Sequence, residues 1–108
     1  MEELRPICVV QYGLGATGRS IARLIDQTPG LKLVGGIDQD PSLAGHDLGE
    51  VAELGRTLGV EVSDDAEAVL TTTRPDVAIV ATQSLLKRVY PQLTTCLQAR
   101  VNVLSTCE

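Results

Sequence analysis

Residues 7–18 read Ile7-Cys8-Val9-Val10-Gln11-Tyr12-Gly13-Leu14-Gly15-Ala16-Thr17-Gly18, and Asp38 follows twenty residues after the last glycine. The opening apolar run is short enough for a buried strand. Past the glycines, Ile21, Ala22, Leu24 and Ile25 recur at helical spacing. Strand, glycine loop, helix, second strand and terminal acid stand in the order that a dinucleotide-binding βαβ unit requires. In such a unit Gly13 permits the tight turn, Gly15 lets a pyrophosphate approach the backbone, and Gly18 lets the helix pack close to the sheet. The first helical amides, at Ala16 and Thr17, offer N–H groups and partial positive charge to phosphates. A glycine turn alone also fits a plain strand–helix connection; the flanking elements and Asp38 turn the reading toward a nucleotide site.

The chain has 108 residues, enough for one small domain with one core. Hydrophobic residues make up 44%, so a packed interior is expected rather than disorder. Trp and Phe are absent, and Tyr12 and Tyr90 are the only aromatics, which leaves Val, Leu, Ile and Ala to fill the core. Those residues suit a parallel sheet covered by helices. A net charge of −5 disfavours nucleic acid, whose phosphates need a basic surface. The shortage of aromatics removes base-stacking platforms as well. No apolar run approaches the roughly 20 residues that span a membrane. The start, Met1-Glu2-Glu3-Leu4-Arg5-Pro6, lacks the form of a signal peptide, so a cytoplasmic location is expected.

Outward from the glycine loop, alternating patterns continue. The first strand is expected over residues 7–11 and the first helix over 16–27, stopped by Pro29-Gly30. The second strand covers 32–37 and ends at Asp38; residues 39–49 form a loop. Leu48, Val51, Leu54 and Leu58 predict a helix ending at Gly59. A short strand covers 60–63. Asp64, with Glu67 three positions on, resembles a capping box for a helix over 65–70. Residues 71–75 read as a loop and 77–81 as a central strand. Leu85, Val89, Leu93 and Leu97 mark a further helix that either begins near Pro91 or kinks there. Residues 101–105 form the last strand. Right-handed crossovers then give a three-layer α/β Rossmann fold: about five parallel strands in the order 3-2-1-4-5, with helices on both faces. Glu108 stands directly after a strand, at the sheet end that carries ligands in such folds. The expectation is one NAD(P)-binding domain over residues 1–108, cut from an absent second domain.

Asp38 can accept hydrogen bonds from both hydroxyls of an adenosine ribose. A 2′-phosphate would meet that carboxylate, Asp40 adds a second negative charge, and Gln39 brings no positive one. This favours NAD(H) over NADP(H), while Arg19, just inside the first helix, keeps NADP(H) open. The plainer alternative is that Asp38 only ends a strand. Ala81-Thr82-Gln83-Ser84 follows the fourth strand, where small polar residues approach the nicotinamide ribose and pyrophosphate; Thr82 or Ser84 would equally serve as a helix cap. His46, the one histidine, reads as a surface residue rather than a base. No ligand spacing suggests a metal site. Cys8, Cys96 and Cys107 form neither a disulfide framework nor a zinc pattern. Cys8 reads as a small core residue, and Cys107 as a bland thiol unless it borders the site. Glu108, just past the last strand, would border the nicotinamide as a general base or as a group that orients an amine.

Together these segments resemble the N-terminal domain of the dihydrodipicolinate reductase-like family. The residues that carry the resemblance are the glycine loop, Gly36-Ile37-Asp38-Gln39-Asp40-Pro41, Ala44-Gly45-His46-Asp47-Leu48-Gly49-Glu50, Ala81-Thr82-Gln83-Ser84 and Asn102-Val103-Leu104-Ser105-Thr106-Cys107-Glu108. The Asp-Leu-Gly-Glu loop and the Ser-Thr-Cys-Glu ending are the more specific, and the ending favours the branch that looks like 2,4-diaminopentanoate dehydrogenase and native amine dehydrogenases over the reductase branch. The resemblance implies an NAD(P)-dependent oxidoreductase that moves hydride between nicotinamide and an imine or amine carbon. It implies a catalytic glutamate at Glu108, and a small amine, imine or dihydrodipicolinate-like substrate held by a second domain that also builds a homo-oligomer. A chain of this length would bind cofactor without turnover. The competing class is a non-enzymatic module that senses NAD(H). A methyltransferase loop places its third glycine one residue earlier, which Gly18 opposes; the spacing of Ala22 is compatible with a flavin.

Overall fold

An apolar strand whose first polar side chain is Gln11 belongs inside a sheet, and β1 (Ile7–Tyr12) lies at its centre. The computed structural model describes residues 6–81 and the backbone of residues 102–105. Along the chain follow α1 (Ala16–Gln27), β2 (Leu31–Ile37), α2 (Leu48–Val51), β3 (Val62–Ser63), α3 (Ala66–Thr73), β4 (Val77–Val80) and β5 (Asn102–Ser105). The strands pair in parallel in the expected order, β3-β2-β1-β4-β5. The helix expected over the Leu85 to Leu97 stripe lies outside the described residues.

The two faces of the sheet carry separate apolar clusters. On one, Val9 and Leu33 meet Ala22 and Ile25 of α1, with Leu48 and Ala52 packed beside them. On the other, Val10, Tyr12, Ala78 and Val80 meet Leu70 of α3. Alternate β1 residues thus serve alternate layers, the period-two pattern of a sheet buried on both sides. Leu24 departs from its expected role. It stays 65% exposed, because α1 turns only its Gly18-Ala22-Ile25 stripe to the sheet. Cys8 is half-buried rather than a core residue; Asp76 closes over its backbone, accepting from its N–H and donating to its C=O, both at 2.8 Å.

A bulge in β2 decides which way Asp38 faces. Val9 pairs with Leu33, but Val10 pairs with Gly35, so one extra residue is accommodated. Leu33 faces α1, while Gly35 looks toward Val69 and Val10 on the opposite layer. Gly36 then looks toward Leu48 and Leu14, back on the α1 side. One inserted residue exchanges the faces of everything after it. Asp38, two residues beyond Gly36, is thereby turned toward the glycine loop instead of toward α3.

Three elements differ from the sequence expectation by more than one residue. The helix expected from Leu48 to Gly59 stops at Val51. Glu53 and Gly55 adopt positive φ of 57° and 80°, which no helix continues through. Leu54 and Leu58 still pack on the core, so the three- and four-residue spacing reported burial and not helix. The third strand is confined to Val62–Ser63, because the amide of Val60 is held by Asp47 instead of by a strand neighbour. Finally, α3 is capped by Asp65, whose carboxylate accepts from Ala68 N, and runs to Thr73. Arg74 ends it in the left-handed conformation, and Pro75 follows.

Candidate functional site

The carboxyl ends of β1, β2 and β4 are stitched together at one place. Gly13 N donates to Ile37 O at 2.7 Å, Ala81 N to Tyr12 O at 2.8 Å, and Asp38 N to Ser63 O at 3.0 Å. Gly13, at φ 108°, turns the chain out of β1, a conformation that an L side chain rarely adopts. At Gly18 a Cβ would stand 1.9 Å from the Gly13 carbonyl oxygen, so the start of α1 rests directly on the loop backbone. Gly15 is the N-cap residue of α1 and offers no side chain to it. A Cβ there would meet nothing within 4 Å, and the first turn carries no acid. The exposed amino end of α1, at Ala16 and Thr17, therefore keeps its N–H groups and its partial positive charge for an anion.

Asp38 is half-buried and docked on this loop. Its Oδ2 accepts from Leu14 N at 2.7 Å, and its Oδ1 from Asp40 N at 2.8 Å. Each oxygen has taken one amide and retains further acceptor capacity. Gln39 beside it is exposed. Asp40 accepts from Ser42 N and Ser42 Oγ, and these bonds hold its carboxyl below the ordinary carboxylate range. Arg19 sits in the first turn of α1, partly buried, and its Nε has no partner among the described residues. Arg23, one turn on, donates to Ala52 O at 3.2 Å beyond α2. The Arg19–Arg23 stripe thus runs along the α2 side of the helix.

The structure brings together Gly13, Gly15, Ala16, Thr17, Gly18, Asp38, Gln39 and the end of β4 at Ala81. Thr82, Gln83, Ser84, Cys107 and Glu108 lie outside the described residues. His46 is exposed. Among the described residues no three His, Cys, Asp or Glu side chains gather as a metal site would require. No helix among them is long and apolar enough to cross a membrane. A recess of about 510 Å³ among the described residues is bordered by Asp26, Leu31, Lys32 and Arg56. It lies at the amino end of β2, the opposite end of the sheet from the glycine loop. At the loop, Gly15, Ala16 and Thr17 are exposed.

Two residues escaped the sequence reading. Asp47 was legible only as part of a family-like loop, yet it organises the segment after β2. Its Oδ2 accepts from Gly49 N and Leu58 N at 2.8 and 2.9 Å, and its Oδ1 from Gly59 N and Val60 N at 2.8 and 3.1 Å. These bonds, that from Leu58 foremost, hold its carboxyl below the ordinary range. Gln11 is fully buried, and its Nε2 lies 3.2 Å from Gly13 O and 3.4 Å from Ile79 O. The signal for it was a glutamine closing an otherwise apolar strand.

The sequence profile described as "Dihydrodipicolinate reductase, N-terminus" matches residues 7–106. The chain belongs to this family. Among its relatives, an amine dehydrogenase of Streptomyces virginiae is 43% identical over 75 residues, which cover 69% of this chain and 21% of the relative. A 4-hydroxy-tetrahydrodipicolinate reductase of Synechocystis sp. is 36% identical over 93 residues, 86% of this chain and 30% of the relative. Among solved structures, the amine dehydrogenase of Mycobacterium smegmatis superimposes with a TM-score of 0.85 at 42% identity, over 92% of this chain and 29% of that one. The chain thus spans between about a fifth and a third of the length of these family members.

Proposed function

We propose that residues 1–108 are the NAD(P)-binding domain of an oxidoreductase, and that NAD(H) is its preferred cofactor. The observation that carries this reading is Asp38, turned by the β2 bulge onto the Leu14 amide beside the uncapped start of α1. A carboxylate with unused acceptor capacity suits the two hydroxyls of an adenosine ribose and repels a 2′-phosphate. Gly13, Gly15 and Gly18 leave room at the pyrophosphate, and the Ala16 and Thr17 amides donate to it. The open space above Gly15 fits such a group, since a Cβ there would occupy it. Gln39 borders the ribose, and Ala81, Thr82, Gln83 and Ser84 take the nicotinamide side.

In the whole protein, NAD(H), when bound, supplies or accepts hydride at an imine or amine carbon. That substrate class follows from the kinship with amine dehydrogenases and 4-hydroxy-tetrahydrodipicolinate reductases. Glu108 would hold or move the proton of the amine nitrogen. A further domain would supply the substrate pocket and a homo-oligomer contact, in a cytoplasmic enzyme.

The test is calorimetric titration of the protein with NADH and NADPH, since a chain without Trp gives no indole signal. NADH binding tighter than NADPH is expected. Asp38→Ala should weaken NADH by about 1–3 kcal/mol, the consequence of leaving paired polar groups unmet. Equal affinities for the two cofactors would refute the preference, and an unchanged affinity in Asp38→Ala would refute the role of that residue.

A further inference from the structure

Asp38 and Gln11 grip the two ends of one peptide group. The Gly13 carbonyl oxygen accepts from Gln11 Nε2 at 3.2 Å, and the amide of that same peptide, Leu14 N, donates to Asp38 Oδ2 at 2.7 Å. Because the peptide is planar, fixing its oxygen fixes the direction of its N–H. The Gly13 end has no side chain to resist rotation, and φ there is already 108°. Gly18 packs flat on the same carbonyl. The second contact of Gln11 Nε2, Ile79 O at 3.4 Å, ties the peptide to β4 as well.

The rest of the glutamine argues against a packing role. Among the described residues Gln11 is the one buried polar side chain, and its Oε1 has no partner among them. An unpartnered buried oxygen costs free energy, and an apolar residue of the same size would avoid that cost. What an apolar residue lacks is the donor that faces Gly13 O.

The geometry points to Gln11 as a positioning residue for cofactor selectivity: through the Gly13–Leu14 peptide it holds the Asp38 carboxylate in its ribose-reading orientation. This rests on the dinucleotide reading above. With Gln11 present, the peptide N–H is aimed at Asp38 and the carboxylate stays against the loop. Without the donor, the Gly13–Leu14 peptide is free to rotate, and Asp38 loses the amide that anchors its Oδ2. A loosened carboxylate discriminates less between a ribose 2′-hydroxyl and a 2′-phosphate. A residue that merely fills the core would lower the affinity for both cofactors in parallel and leave their ratio unchanged.

The test compares wild type with Gln11→Leu by two readouts. Calorimetry gives the ratio of NADH to NADPH affinity, and nitrogen-15 NMR gives hydrogen exchange at the Leu14 amide of the unliganded protein. The expected result is a ratio reduced about tenfold and Leu14 exchange about tenfold faster, the scale of one hydrogen bond, with Val10 exchange and thermal midpoint unchanged. The assignment stands only if both readouts move. An unmoved ratio, or Leu14 protection equal to wild type, overturns it. If Gln11→Leu fails to fold, Gln11→Met, which keeps the length without the donor, is measured in its place by the same criteria. A wild type that binds neither cofactor overturns the dinucleotide reading, and this proposal with it. A wild type that prefers NADH beside a variant of unchanged ratio overturns the Gln11 assignment alone.

Discussion

Of the aspartates that follow β2, Asp38 and Asp47 are engaged in opposite ways. Asp47 accepts four backbone amides, two on each oxygen, from Gly49, Leu58, Gly59 and Val60. Asp38 accepts two, one on each oxygen, from Leu14 and Asp40. A carboxylate offers about four lone-pair positions, so Asp47 is saturated and Asp38 is half-used. The saturated acid closes a long loop onto itself. The half-used acid sits at the rim of the sheet with capacity left for hydroxyl donors. Residue type is alike; the degree of satisfaction separates an acid whose bonds are all spent on the fold from one with acceptor capacity left.

The strongest way to break this comparison is to crowd each acid's backbone partner. Gly18→Ala would drive a methyl group to 1.9 Å from Gly13 O, and Gly49→Ala would drive one to 2.1 Å from Arg56 O and 2.7 Å from Asp47 Oδ2. Both clashes are with backbone, so each variant should lose about 1–3 kcal/mol or more in denaturant unfolding, as overpacked sites do. The two should part on binding. Folded Gly18→Ala should show no NADH heat, because its loop peptide is displaced, whereas folded Gly49→Ala should bind NADH within about threefold of wild type, because Asp47 and Asp38 share no hydrogen-bond partner. Equal binding losses in the two variants would mean that the Asp47 loop and the cofactor ledge are one unit.

Truncating the acids themselves sharpens the contrast. Asp47→Ala orphans four amides and should lower the thermal midpoint more than Asp38→Ala, which orphans two. In ligand affinity the order should reverse, with Asp38→Ala weakening NADH by about 1–3 kcal/mol and Asp47→Ala leaving it nearly unchanged. Differential scanning fluorimetry and calorimetry on both variants check the crossing. If Asp38→Ala alone failed on both measures, its two bonds would be structural in the same sense as those of Asp47.

The same two residues show what a sequence discloses. Asp38 was legible because its partners are local and patterned: a strand, a glycine loop and a helix at fixed spacing bring it to β1 wherever that unit folds. The sheet order followed from the alternation of elements and the handedness of crossovers. Asp47 was not legible as a hub, because its amides come from residues 49 and 58–60, across a segment whose leucine spacing imitated a helix. The real path there is set by positive φ at Glu53, Gly55 and Gly59, and only the glycines carry a sequence signal for it. The β2 bulge was equally hidden. Val34 and Gly35 look ordinary in a strand, yet without their shared face Asp38 would point to the wrong layer. Asp65 displaced Asp64 as the α3 cap because Ser63, at the end of β3, takes the Asp65 amide and sets the turn one residue later. Gln11 was visible as a polar residue in an apolar strand, but its meaning depends on which carbonyl it meets.

The mildest perturbation is protonation, which removes charge while leaving the side chain in place. Asp47 binds its proton more weakly folded than unfolded, because the Leu58, Gly49, Gly59 and Val60 amides favour the carboxylate; Asp40 is shifted the same way by Ser42. The unfolded chain therefore takes up protons first as pH falls. The stabilisation from both groups is complete well above the ordinary aspartate value of 3.8 and is lost as pH drops through it toward the lower folded values. Urea unfolding followed from pH 6 to pH 3 should therefore show a falling midpoint on the acid side. Asp47→Asn should start lower at pH 6, since its amide group can present only one oxygen to four amides, and should lose less on acidification because it has no proton to gain. Parallel acid limbs in wild type and Asp47→Asn would assign the acid sensitivity to other carboxyls and would remove Asp47 from its place as the saturated partner of the pair.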